Sequence, residues 1–185
     1  MRRFRFFILL VAVSAFVGIQ MRSSVPVRAA SGEVDVAIVT SLGTIDVALD
    51  PVHAPITVKN FLRLVDRHFY DGGTFFRAVP GFVIQGGNQA RETASDPTIP
   101  LESPSKTGLH NVDGALSMAR RSDPDSADSE FFVDDGKQPY LDGPPGYAVF
   151  GHVMKNLELV RKIARLPAQG EMLLQPVKIV RIERI

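Results

Sequence analysis

The chain has no cysteine among its 185 residues and only four histidines. Without cysteine it can form neither disulfides nor thiolate zinc sites, and it has no cysteine nucleophile and no lipid-modified cysteine. The histidines are His53, His68, His110 and His152, and they do not follow the HxxxH or HExxH spacing of histidine-built metal sites. We therefore expect no metal and no cofactor, and any chemistry must come from other side chains.

An excess of one charge is missing as well, because 21 lysine and arginine residues nearly balance 20 aspartate and glutamate residues and leave a formal charge of +1. Such a chain lacks the basic footprint that nucleic acid requires, so we expect no nucleic-acid partner. Its 45% of hydrophobic residues is enough for a core and excludes a disordered protein. The length suits one domain with a tail.

The first thirty residues differ in composition from the rest. Three arginines within the first five positions precede an uncharged, mostly apolar run over residues 6–19, and small residues follow as far as Ala30. This three-part pattern is typical of a secretory signal peptide. As a helix the run would reach about 21 Å, at about 1.5 Å per residue, which is less than the bilayer core of about 30 Å. We predict a signal peptide over residues 1–29 that is cut after Ala29.

An uncleaved membrane anchor is the alternative, since counting on to Met21 lengthens the apolar run and the stretch from there to Ala29 is long for a cleavage region. The Arg2-Arg3 pair leaves a twin-arginine signal as a minor option. We expect a periplasmic protein or, if the anchor is kept, an inner-membrane protein that faces the periplasm. Contact with the membrane is expected only in the second case, and residues 30–185 form the folded domain in both.

Most of the remaining chain has the alternating pattern of strands. Residues 34–40 and 44–49 are β-branched runs, and the short Ser41-Leu42-Gly43 segment between them predicts a hairpin. The last ten residues, 176–185, predict a strand that pairs with the first strands and closes a barrel. Residues 88–113 are rich in proline, serine, glycine and threonine and predict a structured loop.

Two segments have helical spacing instead. Between Pro55 and His68 apolar residues recur at i, i+3, i+4 and i+7, with proline near the start. A second helix is predicted from Asn156, as the N-cap, to about Arg165, and Pro167 ends it. The patterns alone thus predict an all-β barrel with two capping helices.

Arg77 lies in an unusual segment rich in glycine and aromatic residues. If residues 75–79 form a strand, Arg77 shares a face with Phe75 and Val79, which puts a cation among apolar side chains. Such an arginine is either paired with a carboxylate at a sheet edge or functional. The spacing by itself favours the paired arrangement.

Motifs distributed along the chain carry the strongest signal of function. In chain order they are FYDG at 69–72, FFRA at 75–78, GFVIQGG at 81–87, GALSMA at 114–119, DPDSADSEFFV at 123–133, YLDG at 140–143 and GYAVFG at 146–151. They resemble, in the same order, the motifs of the cyclophilin-type peptidyl-prolyl isomerases, where the first three read FYDG, FHRV and GFMIQGG. The resemblance covers about residues 34–185.

This resemblance implies a closed eight-stranded antiparallel β-barrel capped by two α-helices, in agreement with the strand pattern. It also implies an enzyme that accelerates rotation about X-Pro bonds, a rotation with a barrier of about 18–20 kcal/mol because amide conjugation must be lost. The expected partners are proline-containing segments of unfolded or folding proteins. We expect a monomer that forms no covalent intermediate.

The resemblance also assigns residues to the site. Arg77 and Gln85 are implied to be catalytic, with Arg77 holding the substrate carbonyl and approaching the proline nitrogen, and Gln85 binding substrate or orienting the arginine. An apolar pocket would hold the proline ring away from water. Ala119 and the backbone of Arg120 would pair with an extended peptide. The substrate-binding residues implied in this way are Phe82, Val83, Ala119, Arg120, Glu130, Phe132, Leu141 and Tyr147.

Five positions depart from the family pattern. Phe76 replaces histidine and should pack away from the site, whereas Val83 replaces methionine and should make the pocket shallower. Glu130 replaces glutamine, and we hypothesise that it favours substrates with a basic residue near the proline; the alternative is a solvated surface acid. Tyr140 and Tyr147 replace tryptophan and histidine, so we expect weak cyclosporin binding.

Two other functions stay open at this point. A binding module could hold proline-containing segments without turnover, although Arg77 and Gln85 together speak against it, since holding alone would tolerate their loss. An anchored accessory subunit of an envelope complex is the weaker possibility. An isomerase assay separates the first from an enzyme, and the N-terminal sequence of the exported protein tests the second.

Overall fold

The computed structural model of the chain describes residues 32–92 and 97–185. The predicted signal peptide therefore lies outside the described residues, and its cleavage stays a prediction. Within those two ranges, no helix combines the length and the apolar character that crossing a bilayer requires.

The described residues form nine strands. Their bounds are β1 Val34–Thr40, β2 Gly43–Leu49, β3 Thr74–Val79, β4 Val83–Gly87, β5 Ala115–Met118, β6 Phe131–Asp134, β7 Val149–Lys155, β8 Ala168–Gln169 and β9 Met172–Arg184. Neighbouring strands are antiparallel in the order β1-β2-β7-β5-β6-β4-β3-β9, and β9 pairs again with β1. Eight strands thus close the predicted barrel, and the short β8 extends β9 outside the ring.

Both predicted connections of the first strands are confirmed. β1 and β2 form a hairpin in full register from Val34↔Leu49 to Thr40↔Gly43. The last strand runs antiparallel to β1 and closes the ring, with Ile38 opposite Ile182. Both of these side chains are buried, which is why alternation in the sequence located the two strands correctly.

The two predicted helices are present, and one further short helix occurs. α1 spans Pro55–Asp66 and α3 spans Leu157–Ala164, while α2 is a four-residue helix, Pro104–Thr107, inside the predicted loop of residues 88–113. A 3₁₀ turn at Pro139–Asp142 precedes β7. The loop is structured, as predicted, where the structure describes it.

α1 is capped from a distant part of the chain. Ala54 offers no side-chain cap; instead the carboxylate of Glu102 accepts hydrogen bonds from the backbone N–H groups of Ile56 and Thr57 at 3.0 and 2.8 Å. A carboxylate at this end also opposes the positive pole of the helix dipole. The long loop is thereby fastened to the helix that closes one end of the barrel.

Asn156 does not cap α3 through its side chain, so that part of the prediction was wrong. Its backbone adopts a left-handed conformation with φ of 68°, and no side-chain hydrogen bond reaches the first turn. The amide nitrogen donates instead to the carbonyl of Thr44 at 2.8 Å. Asparagine tolerates this backbone region better than most residues, so the residue serves the turn and the β2 contact.

Aromatic rings fill the barrel. Phe61 of α1 contacts Tyr70, Phe131 and Phe150 with centroid distances of 5.2, 5.5 and 5.2 Å. All four are essentially inaccessible to solvent, and the Tyr70 hydroxyl donates to the carbonyl of Ser129 at 2.9 Å. Burial raises the Tyr70 pKa well above its usual value. Solvent therefore does not reach these four rings, and the Tyr70 hydroxyl, which is the only hydroxyl among them, has a hydrogen-bond partner.

An extra residue interrupts β3. Its register with β4 shifts between Phe75 and Arg77, so Phe76 is inserted on one strand only. Phe75 faces the core and is fully buried, whereas Arg77 lies on the outer face. The prediction that these two share a face was wrong, because an inserted residue reverses the faces on either side of it. Arg77 and Val79 lie beyond the shift and keep their common face.

Candidate active site

A second apolar cluster lies on the outside of the barrel, separate from the core. It exists because β4 and β6 alternate in register. Val133 and Ile84 point inward as partners, while Phe132 and its partner Gln85 point outward. The 3₁₀ turn then brings Leu141 over this outer face. A sheet face that would otherwise be in solvent thus becomes the floor of a cavity.

The cavity measures about 140 Å³. Nine of the ten residues that the family resemblance implies are brought together around it, although they come from three strands and several loops. These are Arg77, Phe82, Val83, Gln85, Ala119, Arg120, Phe132, Leu141 and Tyr147. Glu130 is the tenth, and it does not line the cavity. Phe76 is buried and does not line it either, in line with the prediction that it packs away from the site.

The floor of the cavity is apolar and closely packed. Val83, Phe132 and Leu141 are 1%, 5% and 7% exposed. The ring of Tyr147 stands edge-on to Phe132, with centroids 5.6 Å apart and planes 79° apart. A cavity of about 150 Å³ with apolar walls accommodates a benzene-sized group, so this one has the size for a single small ring.

Larger grooves exist elsewhere and are chemically different. One of about 490 Å³ is lined by residues such as Leu42, Leu166 and Leu174 and has no charged lining residue. Another, of about 510 Å³, lies open beside α1. Only the smaller cavity combines, among the described residues, an apolar floor with Arg77 and Gln85, so chemistry and not volume identifies it as the candidate site.

Arg77 stands at one end of the cavity and is held on two sides. Its Nε donates to Oε2 of Glu171 at 2.7 Å, and its Nη1 donates to Oε1 of Gln85 at 3.1 Å. The guanidinium carbon lies 5.5 Å from the centroid of the Phe82 ring, a cation–π distance. The Nη2 donors have no acceptor among the described residues. The arginine is thus paired with a carboxylate, and it also keeps free donors at an apolar cavity.

Glu130 lies behind Gln85. Its Oε2 accepts from the Gln85 Nε2 at 2.7 Å, and its Oε1 accepts from the Gln89 Nε2 at 3.0 Å. Since the Gln85 amide nitrogen faces Glu130, its oxygen faces Arg77. Glu130 is neither on the cavity wall nor simply solvated; it fixes the orientation of the amide that contacts the arginine.

Arg120 also lines the cavity through its side chain, which the sequence reasoning did not foresee. Its guanidinium carbon lies 4.6 Å from the centroid of the Tyr147 ring, and its Nε donates to the carbonyl of Gly146 at 3.0 Å. The backbone N–H and C=O of Arg120 make no backbone hydrogen bond to other described residues. Ala119, just before it, donates its N–H to the carbonyl of Glu130 at 2.9 Å.

Asp134 is a buried acid beneath the site. It lies opposite Val83 in the register of β4 and β6, is 0% exposed, and neither carboxylate oxygen has a hydrogen-bond partner. Burial raises its pKa to about 8, and the nearby carboxylates of Asp142 and Asp113 add to the rise. Asp134 therefore keeps its proton between about pH 4 and about pH 8, where an ordinary aspartate is charged.

Sequence reasoning missed Glu171 altogether. It lies 94 positions after Arg77, in the turn between β8 and β9, and outside every motif quoted above. Gly170 was the available signal in the sequence for a turn at this place. Nothing in the local pattern, however, specifies which strand such a hairpin lies against.

The comparisons with known proteins point to one family. The family described as "Cyclophilin type peptidyl-prolyl cis-trans isomerase/CLD" matches residues 35–184. Peptidyl-prolyl cis-trans isomerase A of Dickeya dadantii is 40% identical over 151 residues, which are 78% of this chain and 78% of its own. Peptidyl-prolyl cis-trans isomerase B of Bacillus subtilis is 40% identical over 122 residues, which are 65% of this chain and 82% of its own.

Solved structures show the same likeness. A cyclophilin type peptidyl-prolyl cis-trans isomerase of Cryptosporidium parvum has a TM-score of 0.74 and 25% identity, covering 83% of this chain and 98% of that one. A second structure of that protein, in the presence of the dipeptide Ala-Pro, has a TM-score of 0.73 and 26% identity, covering 82% and 98%. The barrel described above is therefore shared along almost the whole of that chain.

Proposed function

The chain belongs to the cyclophilin-type peptidyl-prolyl cis-trans isomerase family, and from that premise we propose that Arg77, Gln85 and the apolar cavity together catalyse rotation of X-Pro bonds in exported proteins. The observation that carries the proposal is the arginine itself, which keeps donors without a partner among the described residues beside a cavity of about 140 Å³ with an apolar floor. The Ala-Pro dipeptide studied with the Cryptosporidium relative belongs to the substrate class proposed here.

The reaction needs no nucleophile and no proton transfer. The barrier to X-Pro rotation arises because the nitrogen lone pair is conjugated with the carbonyl, and the twisted state loses that conjugation. A catalyst must therefore bind the twisted amide better than either planar isomer. In that state the nitrogen regains a lone pair that can accept a hydrogen bond.

Arg77 supplies the donors for this state. A guanidinium is charged at every relevant pH and has five N–H groups in a fixed plane. Glu171 and Gln85 each take one of these groups, so the others can bind the substrate carbonyl and the freed nitrogen lone pair. Lowering the barrier by about 7 kcal/mol corresponds to roughly 10⁵-fold acceleration, a range that fixed charges and positioning can supply.

The cavity would bind the pyrrolidine ring of the proline. Val83, Phe132 and Leu141 would contact the pyrrolidine ring and displace water from the amide. Water favours the planar amide because that form is the more polar one, so its removal helps the twisted state. With the ring held, the rest of the peptide can rotate relative to it.

Backbone groups would hold the peptide on the other side. The N–H and C=O of Arg120, which make no backbone hydrogen bond within residues 32–92 and 97–185, lie just after the end of β5, where an extended segment can add to the sheet edge. Such contacts are independent of side-chain identity. The site would then select for proline through the cavity and accept varied neighbours.

The test is a protease-coupled isomerisation assay with a tetrapeptide such as Ala-Ala-Pro-Phe. We expect wild type to be active and Arg77→Ala to lose about 10²- to 10³-fold in kcat/KM, the usual loss when a transition-state donor is removed. Arg181→Ala is the matched control, because Arg181 is also paired with a carboxylate, Glu183 at 2.8 Å, but does not line the cavity. Wild-type kcat/KM in Arg77→Ala would refute the proposed role of the arginine.

The restriction to exported proteins has its support in the signal-peptide pattern of residues 1–29. Fractionation of a Gram-negative host expressing the full chain, followed by N-terminal sequencing, tests it. A periplasmic protein that begins at Ala30 is expected. An intact chain in the inner-membrane fraction would establish the anchor instead, and an intact chain in the cytoplasm would refute export.

A further inference from the structure

The β8–β9 hairpin lies outside the closed barrel and places a carboxylate on Arg77. Ala168 pairs with Leu173 and Gln169 with Met172, so Gly170 and Glu171 form a two-residue turn. Gly170 has a φ of 62°, the left-handed conformation that tight hairpin turns require. The hairpin adds nothing to the closure of the barrel, and its tip is the part that reaches the site.

The tip is fastened to β3 through the backbone. The carbonyl of Glu171 accepts a hydrogen bond from the N–H of Ala78 at 2.8 Å, and Met172 lies opposite Arg77 in the register of β3 and β9. These contacts fix the main chain of Glu171 beside the residue that its side chain contacts. The Nε–Oε2 distance of 2.7 Å is that of a charge-assisted hydrogen bond.

This anchoring separates the pair from an ordinary surface ion pair. Exposed ion pairs contribute little to stability, because two long side chains lose conformational entropy when they are held together. Here one partner starts from a fixed backbone, and the other is held on its far side by Gln85, which is itself held by Glu130. The guanidinium plane is thus restrained at Nε and at Nη1, and the Nη2 donors stay available for a substrate.

We propose that Glu171 is a positioning residue for Arg77, acting by holding the guanidinium plane in the orientation that rotation of the X-Pro bond requires. This inference rests on the proposed function, because it concerns the orientation of the arginine assigned there. Glu171 touches neither the cavity nor its apolar floor, so its effect on the reaction runs through Arg77 alone.

The test compares Glu171→Ala and Glu171→Gln with wild type in the tetrapeptide assay. We expect Glu171→Ala to lower kcat by about two- to fivefold, the range set by a half-exposed ion pair, with KM changed less than twofold. Glu171→Gln should restore most of kcat, because an amide oxygen still accepts from Nε. Glu183→Ala is the matched control, since Glu183 is an exposed glutamate paired with Arg181, and it should leave kcat unchanged.

A spectroscopic reading accompanies the kinetics. The ¹H–¹⁵N resonance of the Arg77 Nε group, assigned by its loss in Arg77→Lys, should shift and exchange faster with water in Glu171→Ala and stay close to wild type in Glu183→Ala. If Glu171→Ala does not fold, Glu171→Asp provides the same comparison, because its shorter side chain withdraws the carboxylate from Nε.

Three outcomes in Glu171→Ala would overturn the inference: an unchanged kcat, a raised kcat, or a raised KM with an unchanged kcat. A raised kcat would mean that Glu171 competes with the substrate for Arg77. The failure of the proposed function looks different, because it shows as an active Arg77→Ala. In the Arg77→Ala background, Glu171→Ala should cause no further loss; an additional loss there would also refute action through Arg77.

Discussion

Phe131 and Phe132 are neighbours on β6, yet they belong to two regions with different roles. Phe131 is fully buried in the barrel and packs edge-on against Phe61, Tyr70 and Phe75. Phe132 points the other way and forms the floor of the outer cavity. The interior is held mainly by apolar contacts, whereas the outer site adds a hydrogen-bonded series of charged and amide groups. We infer that stability resides mainly inside the barrel and catalysis mainly on its outer face.

Truncating the two phenylalanines in turn should have the largest effects. Phe131→Ala should lower the free energy of unfolding by about 3–5 kcal/mol, the usual cost of a large cavity in a core. Phe132→Ala should cost less stability, because its site already opens to a cavity, and should reduce kcat/KM more strongly. Chemical denaturation and the tetrapeptide assay on both variants measure this. Equal losses of stability and of activity in the two would remove the distinction.

Asp134 is a buried acid opposite Val83 of the outer site. Its pKa of about 8 means that the native state keeps a proton that the unfolded chain releases near pH 4. Its contribution to stability is therefore fully present below pH 4 and is lost as the pH rises to about 8. The free energy of unfolding of Asp134→Asn minus that of wild type should therefore increase from pH 4 to pH 8, by up to about 1.4 kcal/mol per pH unit.

The measurement is the free energy of unfolding of wild type and Asp134→Asn from pH 4 to 8. Asp66→Asn is the control. The hydrogen bond from Arg184 lowers the Asp66 pKa, so the difference in unfolding free energy between Asp66→Asn and wild type should not change between pH 4 and pH 8. A difference between wild type and Asp134→Asn that does not change with pH would contradict a protonated Asp134.

The smallest expected effect concerns substrate charge at the outer site. Glu130 and Glu171 lie near Arg77 and Gln85, so a basic residue beside the proline should be favoured by about two- to threefold at low salt, as weak, screened interactions allow. Lysine-containing and glutamate-containing peptides, compared in wild type and Glu130→Gln, measure it. Equal turnover of both peptides by wild type would refute the preference.

The two regions also differ in how far the sequence predicts them. Interior elements follow local periodicity: the β1–β2 hairpin and α1 were both predicted, because alternating or helical spacing reports burial directly. The members of the outer site were predicted only through motifs, since no period joins Arg77 to Phe132 or Leu141. Whether the motif residues act as implied stays a prediction for the experiments above.

What sequence reasoning missed depends on pairing between distant segments. The extra residue Phe76 is specified by the register of β3 with β4, and the cap on α1 comes from Glu102, 45 positions after Thr57. Glu171 reaches Arg77 across a still longer separation. Local patterns contain no information on such partners, whereas side chains repeating every second or fourth residue need only their own segment.

In the proposed function, Arg77 accelerates rotation of the X-Pro bond and is not required for folding. Exchange NMR on a proline-containing peptide at equilibrium, with wild type and Arg77→Ala, tests it without a coupling protease. We predict that wild type exchanges the cis and trans signals rapidly. Arg77→Ala should still shift the peptide resonances on binding and unfold within about 1 kcal/mol of wild type, but it should catalyse exchange about 10²- to 10³-fold more slowly. Exchange at the wild-type rate in Arg77→Ala would contradict the account.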